Sequence, residues 1–473
     1  AFEARPWELK KTETIDVMDA VGSNIRIDTY GWEVKRILPR INDSINEEWI
    51  SDKTRYAYDG LLKQRLDTPY VRENGKLQKA SWDSALKILV NKIRKFKPDE
   101  IAGIVGDLLD LESIYSFKSF LTNSVGTKNL EYRQARIYIN PKERMNYIFN
   151  STINGIEEAD LILLVGSNPR LEATILNARI RKAYTKKKIK IYSLGDVGEL
   201  NYPYKVINPS TLSIKEIASN TSIISDKIKK SKKPLFIIGE SALRGKAGEY
   251  IFETLKNFLS ENNFLRKDWN ALNVLNQHAA SVGALDLDFH SIDEKKNFLF
   301  FDKIEKNDFK FLYLLGADNI DFDKKDKFIV YQGSHGDKGA EIADIILPGA
   351  AYTEKNGLFI NLEGRLQNSY KATYPPGEAK EDWIIFNEII KIMKTPIKYP
   401  SIEHLKDSIN KSLQQKTKHN YIEKKIVDFV DDKITLTPID YYYTNAVARS
   451  SKTMSECRQI KKKSFSEEVK KVS

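Results

Sequence analysis

The chain has 473 residues, of which 41% are apolar and 11% aromatic, and its formal net charge is +11. A chain of this length and composition can fill the cores of about three domains, which excludes a disordered scaffold. Its longest apolar runs, such as Leu161 to Val165 and Phe311 to Leu315, are far shorter than the roughly 20 residues of a membrane-spanning helix. No direct membrane span is therefore expected.

The excess of positive charge is spread among many acidic residues. The chain contains 76 Lys and Arg residues against 65 Asp and Glu residues, and basic runs such as Lys186 to Lys188 contain no aromatic residues. Nucleic acid is therefore not an expected partner. A solvated lysine surface is the simplest interpretation, and acidic partner subunits or acidic lipid headgroups fit the charge as well.

Metal-binding residue types are scarce. The single cysteine, Cys457, excludes an intrachain disulfide and any cluster held by four cysteines of this chain. The five histidines are scattered and show no metal-binding spacing. The chain starts at Ala1 without the features of a signal peptide, as expected for a piece of a longer protein.

The first sixty residues differ in pattern from the rest. Apolar and polar residues alternate from Ser23 to Lys35, and Tyr30-Gly31 can form a turn. This pattern predicts a small antiparallel hairpin. We therefore expect residues 1–65 to form a small β-rich domain.

Five apolar, β-branched-rich runs that each end at a glycine follow. A short continuous apolar run is typical of a strand buried on both faces of a parallel sheet, and the glycine permits a tight turn into the next helix. The pattern predicts a doubly wound α/β fold over residues 66–395, followed by a helical and irregular carboxy-terminal extension over residues 396–473. The five runs are Ile101 to Gly106, Leu161 to Gly166, Ile189 to Gly195, Leu235 to Gly239, and Phe311 to Gly316.

Three loops are candidates for a site. Gly166, Asn168 and Pro169 follow a strand and could present backbone N–H groups to a phosphate, but the wider glycine patterns of nucleotide loops are missing, so a plain tight turn is the simpler interpretation. The run from Gly333 to Gly339 contains Ser, His and Asp, yet adjacent residues rarely form a catalytic triad. A third loop could bring Glu354 and Arg365 together, most simply as an ion pair.

Several segments together resemble the molybdopterin oxidoreductase superfamily. They include a strand that ends in G-x-N-P, the pattern R-L-x-x-P followed by S-W-D-x-A-L, and a late run with L-P, E-x-x-G and N-x-E-G-R-x-Q. In this chain these are Gly166 to Pro169, Arg65 to Pro69 with Ser81 to Leu86, and Leu347 to Gln367. The resemblance implies the fold of that superfamily.

One branch is more similar still, the large iron–sulfur subunit of NADH:quinone oxidoreductase, respiratory complex I. The resemblance covers nearly the whole chain, including its tyrosine-rich end. It is carried by Ala4 to Glu8, Ser23 to Ile25, Arg36 to Arg40, Asn46 to Lys53, Asn177 to Lys182, Ile346 to Lys355 and Tyr441 to Ser455. The aromatic Tyr441 to Tyr443 segment is expected to pack against the body of the chain or a partner subunit.

The departures from the family pattern bear on function. Relatives that hold a 4Fe–4S cluster in this region use four cysteines, and the matching positions here are Asp16, Asp19, Ser23 and Ser51. No ligand for molybdenum is identifiable either. The resemblance therefore implies a fold that persists without its cluster, a vestigial cofactor loop, and no catalytic residue, metal site or cofactor in this segment.

As part of such a subunit the chain would belong to an enzyme without having an active site of its own. The 2Fe–2S and 4Fe–4S clusters would lie in the missing amino-terminal part, and partners would include other subunits of the hydrophilic arm, among them the flavin-bearing NADH-binding subunit. The location would be peripheral, on the cytoplasmic face of a bacterial inner membrane or the matrix face of the mitochondrial inner membrane. The alternatives are a molybdopterin-dependent oxidoreductase of formate dehydrogenase type and a soluble nucleotide-binding module.

Overall fold

Strands and helices alternate along most of the chain in a computed structural model, which describes residues 4–293, 295–322, 324–416 and 423–472. The strands in these ranges are β1 (Lys10–Ile15), β2 (Asn24–Tyr30), β3 (Glu33–Pro39), β4 (Tyr70–Glu73), β5 (Lys76–Lys79), β6 (Ile101–Val105), β7 (Leu130–Glu131), β8 (Leu161–Val165), β9 (Lys190–Leu194), β10 (Lys205–Ile207), β11 (Pro234–Gly239), β12 (Leu272–Leu275), β13 (Phe311–Leu315), β14 (Phe328–Gly333), β15 (Ile345–Pro348), β16 (Gly357–Ile360) and β17 (Leu366–Ser369).

The helices pack between and around these strands. In the described ranges they are α1 (Asp52–Tyr56), α2 (Trp82–Ile93), α3 (Leu111–Ser119), α4 (Pro169–Glu172), α5 (Thr174–Lys187), α6 (Thr211–Ala218), α7 (Ile223–Lys229), α8 (Glu240–Leu243), α9 (Gly248–Glu261), α10 (Ser281–Asp286), α11 (Leu299–Glu305), α12 (Lys338–Ile342), α13 (Asp382–Met393), α14 (Ile402–Lys416), α15 (Ala446–Ser450) and α16 (Lys452–Val472). None of the helices in these ranges is both long enough and apolar enough to cross a membrane.

The small domain is an antiparallel sheet in the order β1-β2-β3. Alternate residues such as Ile25, Ile27 and Ile37 are at most 2% exposed and form one apolar face, while the residues between them point away. The β2–β3 turn contains Gly31 with φ +57°. The predicted hairpin is confirmed.

The first large sheet has five parallel strands in the order β10-β9-β8-β11-β12. Every residue of β8 and β11 is buried, which explains why their sequences are continuous apolar runs rather than alternating ones. These strands and β9 are three of the five that the sequence predicted.

The second large sheet has seven strands in the order β5-β4-β15-β14-β13-β6-β7. Strands β15, β14, β13, β6 and β7 are parallel, whereas the hairpin of β4 and β5 adds an antiparallel edge. Successive residues of β13 pack on opposite faces of the sheet. Tyr313 lies on the face covered by α3 and α13, and Leu312 and Leu314 lie on the other face, in the same core cluster as Phe300. The predicted doubly wound, mostly parallel architecture is confirmed.

Glycines let neighbouring strands approach closely at the same place in both sheets. A Cβ on Gly106, after β6, would lie 1.7 Å from the carbonyl oxygen of Gly316, after β13. A Cβ on Gly239, at the end of β11, would lie 2.3 Å from the carbonyl oxygen of Gly166, after β8. Only a residue without a side chain fits such a backbone contact.

Replacing Gly106 by alanine is therefore expected to lower the free energy of unfolding by about 3 kcal/mol, because backbone of the adjacent strand would have to move. Urea unfolding measures the change. Gly336→Ala is the matched control, since its nearest neighbour would lie 3.6 Å from the added Cβ, and it should change stability by less than about 1 kcal/mol. Equal effects of the two substitutions would contradict the role assigned to Gly106.

Candidate functional site

The four positions that match the cluster cysteines of the family lie together in the small domain. Asp16 follows β1, Asp19 and Ser23 lie in the turn before β2, and Ser51 caps α1. All four residues are at most 3% exposed. The Asp16 amide donates to the Ser23 carbonyl oxygen at 2.8 Å, which closes the turn. The fold thus brings these positions into one buried region.

Two residues that the sequence did not single out, Lys53 and Thr54, complete this region. Thr54 Oγ1 donates to Asp16 Oδ2 at 2.6 Å and lies 2.7 Å from Ser51 Oγ. Lys53 is 2% exposed. Its ammonium group interacts with the two buried carboxyl groups and lies 5.4 Å from the centre of the Tyr441 ring. The positions are therefore linked by polar contacts.

Burial controls the ionisation of these groups. It raises the pKa of Asp16 to about 7, with repulsion from Asp19 adding to the shift. Burial also raises the pKa of Asp19, and attraction to Lys53 opposes that rise. The pKa of Lys53 is lowered by burial, against the attraction of Asp19 and Asp16. Burial therefore disfavours the charged form of all three groups, and the attraction between Lys53 and the two carboxyl groups opposes that effect.

These residues do not fit a 4Fe–4S cluster. Such a cluster is held by thiolates, whereas the four positions present carboxyl and hydroxyl oxygens. The oxygens also bond to the protein itself, since Asp16 Oδ1 accepts from the Met18 amide and Asp19 Oδ1 from the Val21 amide, both at 2.9 Å. In the described part of the chain, no group of three or more His, Cys, Asp or Glu residues could hold a metal ion.

The vestigial cofactor loop forms a tight turn at the end of β8. Gly166 has φ +55° and packs against Ala242, where a Cβ would lie 2.5 Å from the amide nitrogen. The Asn168 side chain caps α4 by accepting from the Leu171 amide at 3.2 Å, and Pro169 is the first residue of that helix. The geometry is that of a capped helix start.

The buried carboxyl group of Glu172 accepts a backbone hydrogen bond that a bound phosphate would need. The Asn168 amide donates to Glu172 Oε1 at 2.6 Å, so a carboxyl group of this chain takes a backbone N–H that an anion would need. Burial raises the pKa of Glu172 to about 8, and repulsion from Glu240 contributes. Glu172 is therefore mainly protonated at neutral pH. Nothing in its sequence spacing indicated this contact.

The carboxyl ends of the two large sheets border one cleft, a cavity of about 380 Å³. Asp107, after β6, contacts residues that follow β12: its carbonyl oxygen accepts from the Ala280 amide at 3.1 Å, and a carboxyl oxygen lies 3.5 Å from His278 Nδ1. Glu240, after β11, accepts from the Gln277 amide at 3.0 Å. In doubly wound folds this edge is where ligands bind.

Two arginines that line the cleft are bound to carboxylates of the chain. Arg133 pairs with Glu131 at 2.7 Å and is 3% exposed, and Arg136 pairs with Asp302 at 2.8 Å. Their charge is therefore already balanced without a ligand.

Residues 432–451, here called the C-terminal strap, run past the carboxyl ends of both large sheets. The Thr437 amide donates to Ser241 Oγ at 3.0 Å, beside the end of β11. Arg449 bonds to Asp337 at 2.5 Å and to Asn319, after β13, at 3.0 Å. The strap thus joins the carboxyl edges of both large sheets.

The strap also binds the small domain. The Lys53 amide donates to the Tyr441 hydroxyl at 3.4 Å, Asn445 Nδ2 lies 3.4 Å from Met18 Sδ, and Ser451 bonds to Asp59. The expectation that the tyrosine segment packs against the body of the chain is confirmed for Tyr441.

The run from Gly333 to Gly339 does not form a catalytic triad. His335 Nδ1 lies 2.9 Å from Ser334 Oγ, but its Nε2 faces the Gly60 carbonyl oxygen at 3.0 Å, and Asp337 instead binds the strap. Burial lowers the pKa of His335 to about 3. The interpretation of this run as a structural loop is therefore supported.

The expected pairing of Glu354 with Arg365 was wrong. Glu354 accepts two hydrogen bonds from Arg65, one of them at 2.7 Å, whereas Arg365 pairs with Glu363 at 2.7 Å. The reason is that Arg365 lies in the turn between β16 and β17, where Glu363 is its neighbour along the chain.

Replacing Lys53 by methionine, which keeps much of its volume, should lower the free energy of unfolding by about 3–5 kcal/mol near pH 8. This loss of stability should be smaller at about pH 5.5. At that pH Asp16 is protonated, so the variant has one fewer buried carboxylate without an ammonium group to balance it. Urea unfolding at both pH values tests this. The exposed Lys63→Met should have little effect at either pH, and a loss independent of pH would contradict the assigned charge pairing.

Glu172→Gln should reduce the loss of stability between about pH 4.5 and pH 8. Because the folded-state pKa of Glu172 is raised, the folded wild-type chain retains a proton that the unfolded chain releases, and stability falls as pH rises toward about 8, by up to about 1.4 kcal/mol per pH unit. Glutamine keeps the acceptor for the Asn168 amide and does not ionise. Thermal unfolding across this pH range measures the effect. The stability of Glu172→Gln should depend less on pH than that of the wild type, whereas the exposed control Glu378→Gln should show the wild-type dependence.

Three family models match successive parts of the chain. The NADH-ubiquinone oxidoreductase NDSU1/NuoG-like 4Fe-4S domain matches residues 9–59, the molybdopterin oxidoreductase model matches residues 65–392, and the model for the C-terminal part of the NADH-ubiquinone oxidoreductase G subunit matches residues 408–457. The first match corrects one expectation. The expectation that this segment has no cofactor and that the clusters lie only in a missing amino-terminal part is not borne out, because a 4Fe-4S domain matches within this chain.

A solved structure, the formyltransferase/hydrolase complex of Methylorubrum extorquens, aligns with 69% of this chain and 99% of its own matched chain. It does so with a TM-score of 0.52 at 12% identity, which supports the fold alone.

Similar proteins agree with the family models. The NADH-ubiquinone oxidoreductase 75 kDa subunit of Reclinomonas americana is 41% identical over 98% of this chain, the mitochondrial 78 kDa subunit of Candida albicans 43% over 97%, and the NADH-quinone oxidoreductase G subunit of Rickettsia felis 41% over 98%. The chain spans 70%, 65% and 68% of their respective lengths. The chain therefore belongs to the family of large subunits, the G or 75 kDa subunits, of NADH:quinone oxidoreductase, respiratory complex I.

Proposed function

We propose that this chain is the non-catalytic, structural part of its subunit, in an enzyme that as a whole passes electrons from NADH through iron–sulfur clusters to quinone. The observation that carries the proposal is the buried network of Asp16, Ser51 and Thr54 beside Lys53, at the positions where a cluster would need four cysteines. A buried ammonium group and hard oxygen atoms stabilise each other there. They offer no thiolate to iron.

The cofactor cleft supports the same proposal. Glu172 takes the Asn168 amide, the Arg133 side chain is paired with Glu131, and the C-terminal strap crosses the carboxyl edges of both sheets. These contacts hold the cleft together through groups of the chain itself. We assign Gly166, Asn168 and Pro169 a structural role, as a capped turn rather than a nucleotide site.

Its place in the enzyme follows from the family. We assign the chain a small degenerate cluster domain (1–65), an α/β body (66–395) and an extension (396–473), packed among subunits of the hydrophilic arm, including the flavin-bearing one. The 2Fe–2S and 4Fe–4S clusters that carry electrons would lie in the part of the subunit outside this chain. Its location would be peripheral, on the cytoplasmic face of a bacterial inner membrane or the matrix face of a mitochondrial one. No observation favours the formate dehydrogenase alternative.

The chain purified without oxygen is expected to contain neither iron nor molybdenum in stoichiometric amount, because its ligand positions hold oxygen side chains. Plasma emission spectroscopy measures both metals, and mass spectrometry of heat-released material tests for a pterin or guanine nucleotide. Cys457→Ser controls for metal held adventitiously by the single thiol. One iron–sulfur cluster per chain, or a bound pterin, would refute the proposal.

A further inference from the structure

Positive charge is concentrated at one edge of the five-stranded sheet. The segments that precede its strands contain fourteen basic and five acidic residues, a net charge of +9, whereas the whole chain carries +11. The rest of the molecule is therefore nearly neutral. These segments, here called the basic edge, are residues 157–160, 181–190, 205, 226–233 and 266–268.

The basic edge is one continuous surface because parallel strands begin at the same side of a sheet. Neighbouring segments touch: the Asp160 amide donates to the Lys233 carbonyl oxygen at 3.2 Å, and the Lys190 amide donates to the Asp160 carbonyl oxygen at 3.4 Å. Lys187 Nζ also reaches the Glu157 carbonyl oxygen at 2.6 Å. Residues far apart in sequence thus contribute to a single electrostatic field.

Four of the five acidic residues of this edge bond to groups of the same chain. Glu157 accepts from Arg179 at 2.6 Å and from Lys182 at 2.8 Å. The Asp160 side chain accepts from the backbone amides of Lys232 and Lys233 at 2.8 and 3.1 Å. These two carboxylates bond to groups near the sheet, and many lysine ammonium groups of the edge have no carboxylate partner.

Eight lysines of the edge are exposed and form no ion pair with a carboxylate in the described ranges. They are Lys187, Lys188, Lys190, Lys205, Lys229, Lys230, Lys232 and Lys267. Clustered like charges repel one another, so a surface of this kind gains free energy when an opposite charge covers it.

The chemistry of the edge favours protein over lipid or nucleic acid. Twelve of its fourteen basic residues are lysines, which act as point charges, whereas arginine is the residue that grips phosphate with two hydrogen bonds. The nearby aromatic rings of Tyr192 and Trp269 are 3% and 4% exposed. Tyr184 is half-buried against the core, with Lys188 Nζ 4.9 Å from its ring centre. None of the three rings therefore projects freely toward a bilayer or a base. We infer that the basic edge docks an acidic surface of another subunit of the same enzyme, an inference that rests on the proposed structural role.

Cross-linking of the assembled enzyme with a zero-length carbodiimide tests this, because the reagent joins a lysine only to a carboxyl group in direct contact. We expect the exposed lysines of the edge to be joined to Asp or Glu residues of one other subunit. A variant that reverses four of these charges should be retained in the enzyme roughly tenfold less than the wild type in physiological salt. The four substitutions are Lys188→Glu, Lys190→Glu, Lys230→Glu and Lys232→Glu.

The matched control changes the same amount of charge on other exposed surfaces and should assemble normally. Its substitutions are Lys76→Glu, Lys79→Glu, Lys391→Glu and Lys411→Glu. Normal assembly of the edge variant would overturn the inference if, in addition, the edge lysines of the wild-type chain were acetylated as fast in the enzyme as in the free chain. So would binding of the free chain through these lysines to vesicles of phosphatidylcholine and cardiolipin without any protein cross-link. If the wild-type chain itself failed to join the enzyme, the proposed function would be overturned together with the inference. If only the edge variant behaved unexpectedly, the inference alone would be overturned.

Discussion

Contact between the carboxyl ends of the two parallel sheets is the constraint on which the other features depend. The link from Asp107 to Ala280 and His278 holds the end of β6 against the segment that follows β12. Within each sheet, Gly106 and Gly239 leave room for the backbone that follows the neighbouring strand. The cleft, the turn at its border and the path of the C-terminal strap all follow from that arrangement.

Compensation of buried charge explains how the small domain keeps its shape. A carboxyl group in an apolar interior is costly unless it is neutralised or bonded, and Asp16 and Asp19 are both bonded to amides and faced by Lys53. The turn that these side chains brace is the one in which the family model expects a 4Fe–4S domain. Hydrogen bonds within the chain therefore hold this turn in place.

The two edges of the five-stranded sheet have opposite chemical character. At the carboxyl edge, Glu172 and Glu240 are buried and burial raises the pKa of each, so that ionisation is suppressed. At the amino edge, lysine side chains are exposed to solvent. The separation has a structural cause, since the carboxyl edge packs against the second sheet and the strap while the amino edge faces outward.

The sequence by itself determined the parts of this protein that depend on local pattern. Continuous apolar runs that end at glycine predicted β6, β8, β9, β11 and β13, and alternation predicted the β2–β3 hairpin, because side-chain periodicity reports which faces of a strand are buried. The edge hairpin of β4 and β5 lacked so clear a pattern. The number of cysteines also limits the cluster ligands that the chain can offer, whatever its fold.

Only the tertiary structure decided which distant groups meet. Nothing in the spacing of Lys53 or Thr54 indicated that they would reach Asp16, and Glu172 differs in no visible way from a surface glutamate. Arg65, rather than Arg365, is the partner of Glu354 because folding sets distances that sequence separation does not contain. Partner choice, burial and the resulting pKa shifts are properties of packed surfaces, and they exist only once the chain has folded.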